Sequence, residues 1–179
     1  LSTVRTLASV LEMRDPIYTG HSARVAAYCA AMAQALKLSR SESRRIQLAA
    51  LLHNVGKIVL PGYDDVDPSP EVLEKRNDIA ARLIGRIEGL EFVLPGIQSY
   101  HERMDGKGMP KGLPGDKIPL AARILAVADR LDALVIRGDP PGQRRTVKQA
   151  TGMIREERPG RFDPRVVDAL MTAFRAGYL

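Results

Sequence analysis

Apolar positions recur at helical spacing along nearly the whole of this 179-residue chain. In segment 2–13, Val4, Leu7, Ala8 and Leu11 stand three and four apart and predict one amphipathic helix, closed by Asp15-Pro16. Thr19 precedes a second helix, whose shared face carries Val25, Cys29, Met32, Ala33 and Leu36. The Leu38-Ser39 step ends it, and Ser39 and Ser41 are candidate N-caps for a third helix over 42–52, rich in Ala and Leu and so expected in the core. Gly56, Pro61 and Gly62 then open a stretch dense in Asp and Pro, 63–70, which cannot remain helical. Helices are predicted again at 71–87 and 93–100. Segment 105–119 holds four Gly and three Pro and predicts a long structured loop. Helix returns at 120–134, breaks at 138–142, and resumes at 147–155 and 164–174, the last with Asp163 as N-cap and Pro164 at its first position. There is neither strand-like alternation of useful length nor an internal repeat. The expected fold class is therefore all-α, a helical bundle with long loops whose core holds Val25, Leu48, Leu52, Ile124 and Val127.

Length and a hydrophobic share of 45% fit a single domain over 1–179. Apolar runs are short or broken by charge and Pro, so no membrane span of about 20 residues is expected. The start, Leu1-Ser2-Thr3-Val4-Arg5, resembles a cut from a longer chain more than a signal peptide, and an upstream segment is the expectation. The single Cys29 cannot form an internal disulfide, which fits a reducing cytoplasm, and its apolar surroundings predict buried packing. A net charge of +6 favours a polyanionic ligand. With no Trp and only 4% aromatics, stacking on nucleic acid is poorly served, so a small phosphorylated ligand is the expected class.

The three histidines, His21, His53 and His101, each sit at a predicted helix end, His21 beside Gly20 and His53 beside Asn54, where a side chain can face inward as a ligand. Singly, a hydrogen-bonded structural histidine is the plainer reading. Other polar residues have plain readings too. Lys57 suits a helix C-terminus, Asp105-Gly106 is an ordinary turn pair, Arg144 and Arg145 suit a solvated basic loop, and Asp132, three residues after Asp129, can pair with a nearby Arg.

Taken together, the motifs resemble a known family. Thr19-Gly20-His21-Ser22 with Arg24-Val25-Ala26 resembles the first ligand helix of HD-GYP domains, and Leu51-Leu52-His53-Asn54-Val55-Gly56-Lys57-Ile58 resembles their His-Asp signature with Asn54 in place of Asp. The stretch from His101-Glu102 through Asp105-Gly106 to Gly108-Met109-Pro110 resembles the His-His-Glu, Asp-Gly and Gly-Tyr-Pro block, with Tyr100 replacing the first His and Met109 the Tyr. The run from Ile118-Pro119 to Ala128-Asp129, and then Phe162-Asp163-Pro164, continue it in register over nearly the whole chain.

The resemblance implies an HD-domain helical bundle with two or three iron or manganese ions, which activate hydroxide to cleave the phosphodiester of cyclic di-GMP. It makes His21, His53, His101 and Asp129 candidate metal ligands, and Asn54 and Lys57 candidate catalytic positions. Lys57, Arg144 and Arg145 become candidate phosphate contacts, with Glu102 and Asp105 as partners of His101 and Gly108, Met109 and Pro110 as an interaction loop for a protein partner. It also implies cyclic di-GMP or a related nucleotide as ligand, and an upstream sensor or receiver domain to which 1–14 is the connector. The departures fall on the ligands. Asn54 brings no negative charge, Tyr100 and Arg76 occupy expected His positions, and Ile17 stands where some members carry an acid. A single ion on His21, His53, Asp129 and Asn54 is therefore the expected limit, in a cyclic di-GMP phosphodiesterase domain that is weakly active or inactive. The alternatives are a catalytically dead interaction or nucleotide-binding module without metal, and a one-metal HD-type hydrolase of another nucleotide. The 105–119 loop speaks against the last.

Overall fold

The computed structural model describes residues 2–13, 18–58, 69–158 and 160–178. The predicted break at Asp15-Pro16, the position of Ile17 and nearly all of the 63–70 loop lie outside the described residues. Within them the chain is all helical: α1 (Ser2–Glu12), α2 (His21–Ala35), α3 (Arg40–Leu52), α4 (Pro70–Ile84), α5 (Leu94–Ser99), α6 (Leu120–Asp132), α7 (Val147–Glu157) and α8 (Pro164–Arg175).

Helix α6 is the axis of the bundle. Ala122, Ile124, Leu125, Val127, Ala128 and Leu131 leave no surface to solvent, so the helix carries a broad apolar face that other elements have to cover, while Arg123, Asp129 and Arg130 stay partly exposed. Helices α2, α3, α5, α7 and α8 pack around it. Burying each larger aliphatic side chain contributes about 1.5–3 kcal/mol, which fixes α6 as the least movable element. A smaller cluster, Ala49, Leu52, Ala80, Ile84, Val93 and Ile97, fastens α4 and α5 to α3. Leu52 thus belongs to this second cluster, and Leu48, expected in the core, is only partly buried at its edge because α3 turns that position toward the bundle margin.

Local chemistry explains most of the helix ends. Ser39, not Ser41, caps α3: its Oγ accepts from the Glu42 N–H while the Glu42 carboxylate accepts from the Ser39 N–H, so the helix begins at Arg40. Asp163 caps α8 by accepting from the Arg165 N–H, with Pro164 first in the helix. The predicted helix 120–134 instead ends as α-helix at Asp132 and continues as a π-helical turn, Ala133–Arg137, a widening that apolar periodicity does not reveal.

The 105–119 loop is held from beneath. The buried Glu102 carboxylate accepts from the Lys111 and Leu113 N–H groups at 2.8 and 3.0 Å. Gly108 lies so close to the backbone of 102–103 that a Cβ there would stand 2.3 Å from the Arg103 nitrogen. Gly56 makes a similar approach: its Cβ would stand 2.2 Å from the Arg76 carbonyl oxygen, which seats the turn after α3 directly on α4.

Candidate metal centre

Helices α2 and α3 pack side by side and are joined by the short connection 36–39, so they run antiparallel. At about 1.5 Å per residue, α2 with 15 residues and α3 with 13 are nearly equal in length, and the start of one lies beside the end of the other. His21 is the first residue of α2, His53 follows the last residue of α3, and Asp129 lies one turn before the end of α6. Three helix ends thus deliver three donors to one place.

The two imidazole Nε2 atoms are 3.1 Å apart, and Asp129 Oδ1 is 3.4 Å from His21 Nε2 and 3.8 Å from His53 Nε2. Among the described residues these three form the group with metal-ligand spacing. Donors bound at about 2.1 Å lie roughly 3.0–3.4 Å apart at octahedral or tetrahedral angles, so the spacing fits one ion with little adjustment. The outer nitrogens reinforce this. His53 Nδ1 donates to the Ala50 carbonyl oxygen at 2.6 Å, and His21 Nδ1 donates to Asp132 Oδ2 at 2.8 Å. With both Nδ1 atoms donating, the Nε2 lone pairs converge, and only a positive charge between them, a proton or a metal ion, makes that contact favourable.

Electrostatics keeps His53 and Asp129 in their binding forms. Burial, the facing His21 and Lys57 depress the His53 imidazole to about 3, against the opposing pull of Asp129 and the Ala50 bond, so it stays neutral. Burial would raise Asp129, but His21, His53, Lys57 and Arg137 outweigh it and hold the carboxyl at about 2. Asp132 is likewise buried yet lowered, by hydrogen bonds from His21 and Arg24. The Asp129 side chain is 27% exposed, so the site opens on that side.

The rim of that opening is cationic. Lys57 Nζ and the Arg137 guanidinium lie 5.3 and 5.2 Å from the Tyr18 ring centroid, and Arg137 Nη1 donates to the Tyr18 hydroxyl at 2.9 Å. Tyr18 in turn meets His21 edge-on, with centroids 5.6 Å apart. Asn54, next to His53 in the chain, has a buried neutral Oδ1 that accepts no hydrogen bond.

The remaining predicted residues are distributed around this centre. His101 does not join the three-donor group, and the Tyr100 ring packs against both histidines, 5.4 Å from His53 and 4.0 Å from His101. Glu102 and Asp105 hold the loop, Asp105 through Arg103 and the Lys107 N–H. Met109 N–H donates to the His101 carbonyl at 3.2 Å, which folds Gly108-Met109-Pro110 back over that residue. Arg76 is buried on α4 behind the Gly56 turn. Arg144 is exposed, and Arg145 bonds to Gln143 on the loop that follows the π-helical turn. Cys29 is fully buried, its thiol raised by burial and by the Asp129 charge.

Three residues of the site escape a reading of the sequence, and a fourth, Arg137, is legible only as the start of a basic segment running to Arg145. Asp132 does pair with an Arg, Arg24, at 2.6 Å, but it also holds His21. Tyr18 and Arg137 form the rim, and Glu12 accepts from the Gly20 and Ser22 N–H groups on either side of His21. Of the three, only Glu12 had a local signal, an acid at the end of an amphipathic helix, and that signal is common.

Residues 5–166 match the HD domain family, and the chain belongs to it. Its relatives are phosphodiesterases and HD-GYP proteins. It is 35% identical to the cyclic di-GMP phosphodiesterase response regulator RpfG of Xanthomonas campestris, over 94% of this chain and 47% of that protein. The chain therefore spans about half the length of that relative. Its fold matches the crystal structure of V-cGAP3, a cyclic GMP-AMP specific phosphodiesterase of Vibrio cholerae, with a TM-score of 0.75 at 19% identity over 96% of this chain and 47% of that one. It also matches Bd1817, an HDG"Y"P protein of Bdellovibrio bacteriovorus, with a TM-score of 0.64 at 20% identity over 87% of this chain and 51% of that one.

Proposed function

We propose that this chain is the phosphodiesterase domain of a larger cyclic dinucleotide signalling protein, with cyclic di-GMP as its first substrate and a single iron or manganese ion held by His21, His53 and Asp129. The observation that carries the reading is the convergence of two Nε2 lone pairs and the Asp129 carboxylate, with both outer imidazole nitrogens tied to acceptors. The relatives' activities toward cyclic di-GMP and cyclic GMP-AMP support the substrate class.

When bound, such an ion neutralises charge on a phosphoryl oxygen and lowers the pKa of its water. Two neutral imidazoles and one carboxylate give the donor set a charge of −1, suited to one divalent cation, and Asn54 adds an oxygen but no charge. Lys57 and Arg137 set positive charge at the mouth, where a phosphodiester would enter, and Arg144 and Arg145 offer more along the following loop. Tyr100 packs against both His53 and His101 where the family resemblance expects a His, and Arg76 supplies a buried cation at another such position. Both weigh against a second ion, so turnover is slow. The Tyr100 placement also favours a second reading, nucleotide binding without turnover.

The wider context is part of the same proposal. An upstream receiver or sensor domain delivers the signal, as the response regulator relative suggests, and the Gly108-Met109-Pro110 loop meets a protein partner. No helix of the described residues is long and apolar enough to cross a membrane, and the single buried Cys29 supports a cytoplasmic setting.

The test is metal analysis of anaerobically purified protein, with turnover of cyclic di-GMP and 3'3'-cyclic GMP-AMP measured for the wild type and Asp129→Asn. One ion per chain and slow linearisation, both lost in the variant, support the reading. Nucleotide binding without turnover selects the second reading. Two or more ions per chain, or turnover that survives Asp129→Asn, overturns the single-ion site.

A further inference from the structure

We infer that Glu12 is a positioning residue for the metal centre, and that through it the seating of α1 sets the affinity of the site for its cation. The inference rests on the metal reading of His21 given above. Helix α2 begins without a side-chain cap of its own: Gly20 precedes it with φ 73° and has no side chain to offer. Its first N–H groups, the positive end of the helix dipole, still need acceptors. Glu12, the last residue of α1, reaches in from a different helix to supply them. Its buried carboxylate accepts from the Gly20 N–H at 2.8 Å through Oε2 and from the Ser22 N–H at 2.6 Å through Oε1. These are charge-assisted bonds to the residues on either side of His21.

His21 is therefore fixed twice. Asp132 holds its ring through Nδ1, and Glu12 holds the backbone from which the ring projects. A shift of the α2 terminus opens or rotates the 3.1 Å contact between the two Nε2 atoms, on which the donor spacing depends. Helix α1 is the element best placed to make that shift. Over 4–12 only Ala8 and Glu12 are buried, while Leu7 and Val10 are 49% and 56% exposed, so few contacts hold it to the bundle. Displacing α1 withdraws the carboxylate and loosens the first ligand, leaving the buried α6 in place.

Glu12→Gln tests this, because the amide keeps one acceptor and turns a donor toward the other N–H. Cobalt(II) alone is the probe, followed by its d–d absorption. The expected result is a dissociation constant raised about tenfold or more with a changed band shape. Ser39→Ala removes a cap at the far end of α3 and is expected to lower stability without changing cobalt affinity. His21→Ala abolishes binding if the metal reading holds. Unchanged cobalt binding by Glu12→Gln, with binding lost in His21→Ala, overturns the role of Glu12 alone. Wild-type binding by His21→Ala overturns the metal site itself. Should Glu12→Gln fail to fold, the wild type supplies the reciprocal measurement: cobalt should slow hydrogen exchange at the Gly20 and Ser22 amides, and identical exchange with and without the metal overturns the coupling.

Discussion

Replacing Asp132 by Asn probes how the centre is supported without touching a donor. Asp132 Oδ2 accepts from His21 Nδ1 at 2.8 Å and from Arg24 Nη2 at 3.1 Å, and Oδ1 accepts from Arg24 Nε at 2.6 Å. Asn has one acceptor oxygen. Turned toward Arg24, it faces His21 with an NH2 group, and the ring must move its proton to Nε2, where the ligand lone pair is lost. Turned toward His21, it keeps the tautomer but opposes an N–H of Arg24 and no longer offers the imidazole an anion. The Arg24 side chain is 29% exposed and can swing toward water, so the second arrangement is the less costly one. Loss of such a supporting partner lowers metal affinity about 10–100-fold, or about 1.4–2.8 kcal/mol. In the metal-free protein, breaking a buried ion pair costs about 3–5 kcal/mol; the exposure of Arg24 brings the expected loss to about 2–4 kcal/mol. Calorimetric titration with manganese gives the first quantity, urea unfolding the second, and imidazole ¹⁵N shifts report the His21 tautomer. Manganese affinity within twofold of the wild type would refute the assignment of Asp132 as the support of His21.

Other consequences can be measured independently. His53 titrates at about 3 in the folded chain against an ordinary 6.5, so the unfolded chain takes up the proton first. Metal-free stability is therefore full above 6.5 and falls with pH by up to about 1.4 kcal/mol per unit. Asp129 has the same sense in a lower window: lowered from 3.8 to about 2, it contributes stability that is full above 3.8 and is lost as the pH falls below that value. Urea midpoints between pH 7 and 4.5 should fall more steeply for the wild type than for His53→Gln; parallel curves would remove His53 as the cause. Gly108→Ala places a Cβ 2.3 Å from the Arg103 nitrogen and has to lift the loop, at about 1–3 kcal/mol. Thermal melts should show a fall of roughly 3–10 °C, and an unchanged melt would show that the loop yields freely. Asn54→Asp adds an anionic oxygen next to His53 in the chain and should raise manganese affinity at least tenfold while the stoichiometry stays at one, because His101 stays outside the donor group and Tyr100 offers no imidazole. A stoichiometry of two would assign the loss of a second ion to Asn54 alone.

What the chain discloses in one dimension follows from the range of the interactions involved. Ser39 and Asp163 are legible as caps because their partners lie two or three residues away, and α6 is legible because its apolar positions repeat along one segment. The donors are legible as residue types, since a metal needs imidazole and carboxylate and the motifs set them at recognisable places. Their equivalence is not: His101 has the same credentials as His21 and His53 in sequence, and only the folded arrangement, which gathers His21, His53 and Asp129, separates it from them. The supporting residues are harder still to see, for a physical reason. The tasks of Asp132 and Glu12, to accept hydrogen bonds in a buried place, can be done by any carboxylate, and their partners are fixed by packing. Asp132 meets Arg24 across 108 residues, and Glu12 meets the start of α2 from the end of a different helix. The sequence places Thr19 before the second helix, but α2 begins at His21 with Gly20 before it, and the acceptors its first N–H groups lack are supplied by tertiary contact. A ligand beginning an uncapped helix is therefore a place to look for a distant carboxylate, and such a carboxylate ties the donor to whatever moves the element that carries it.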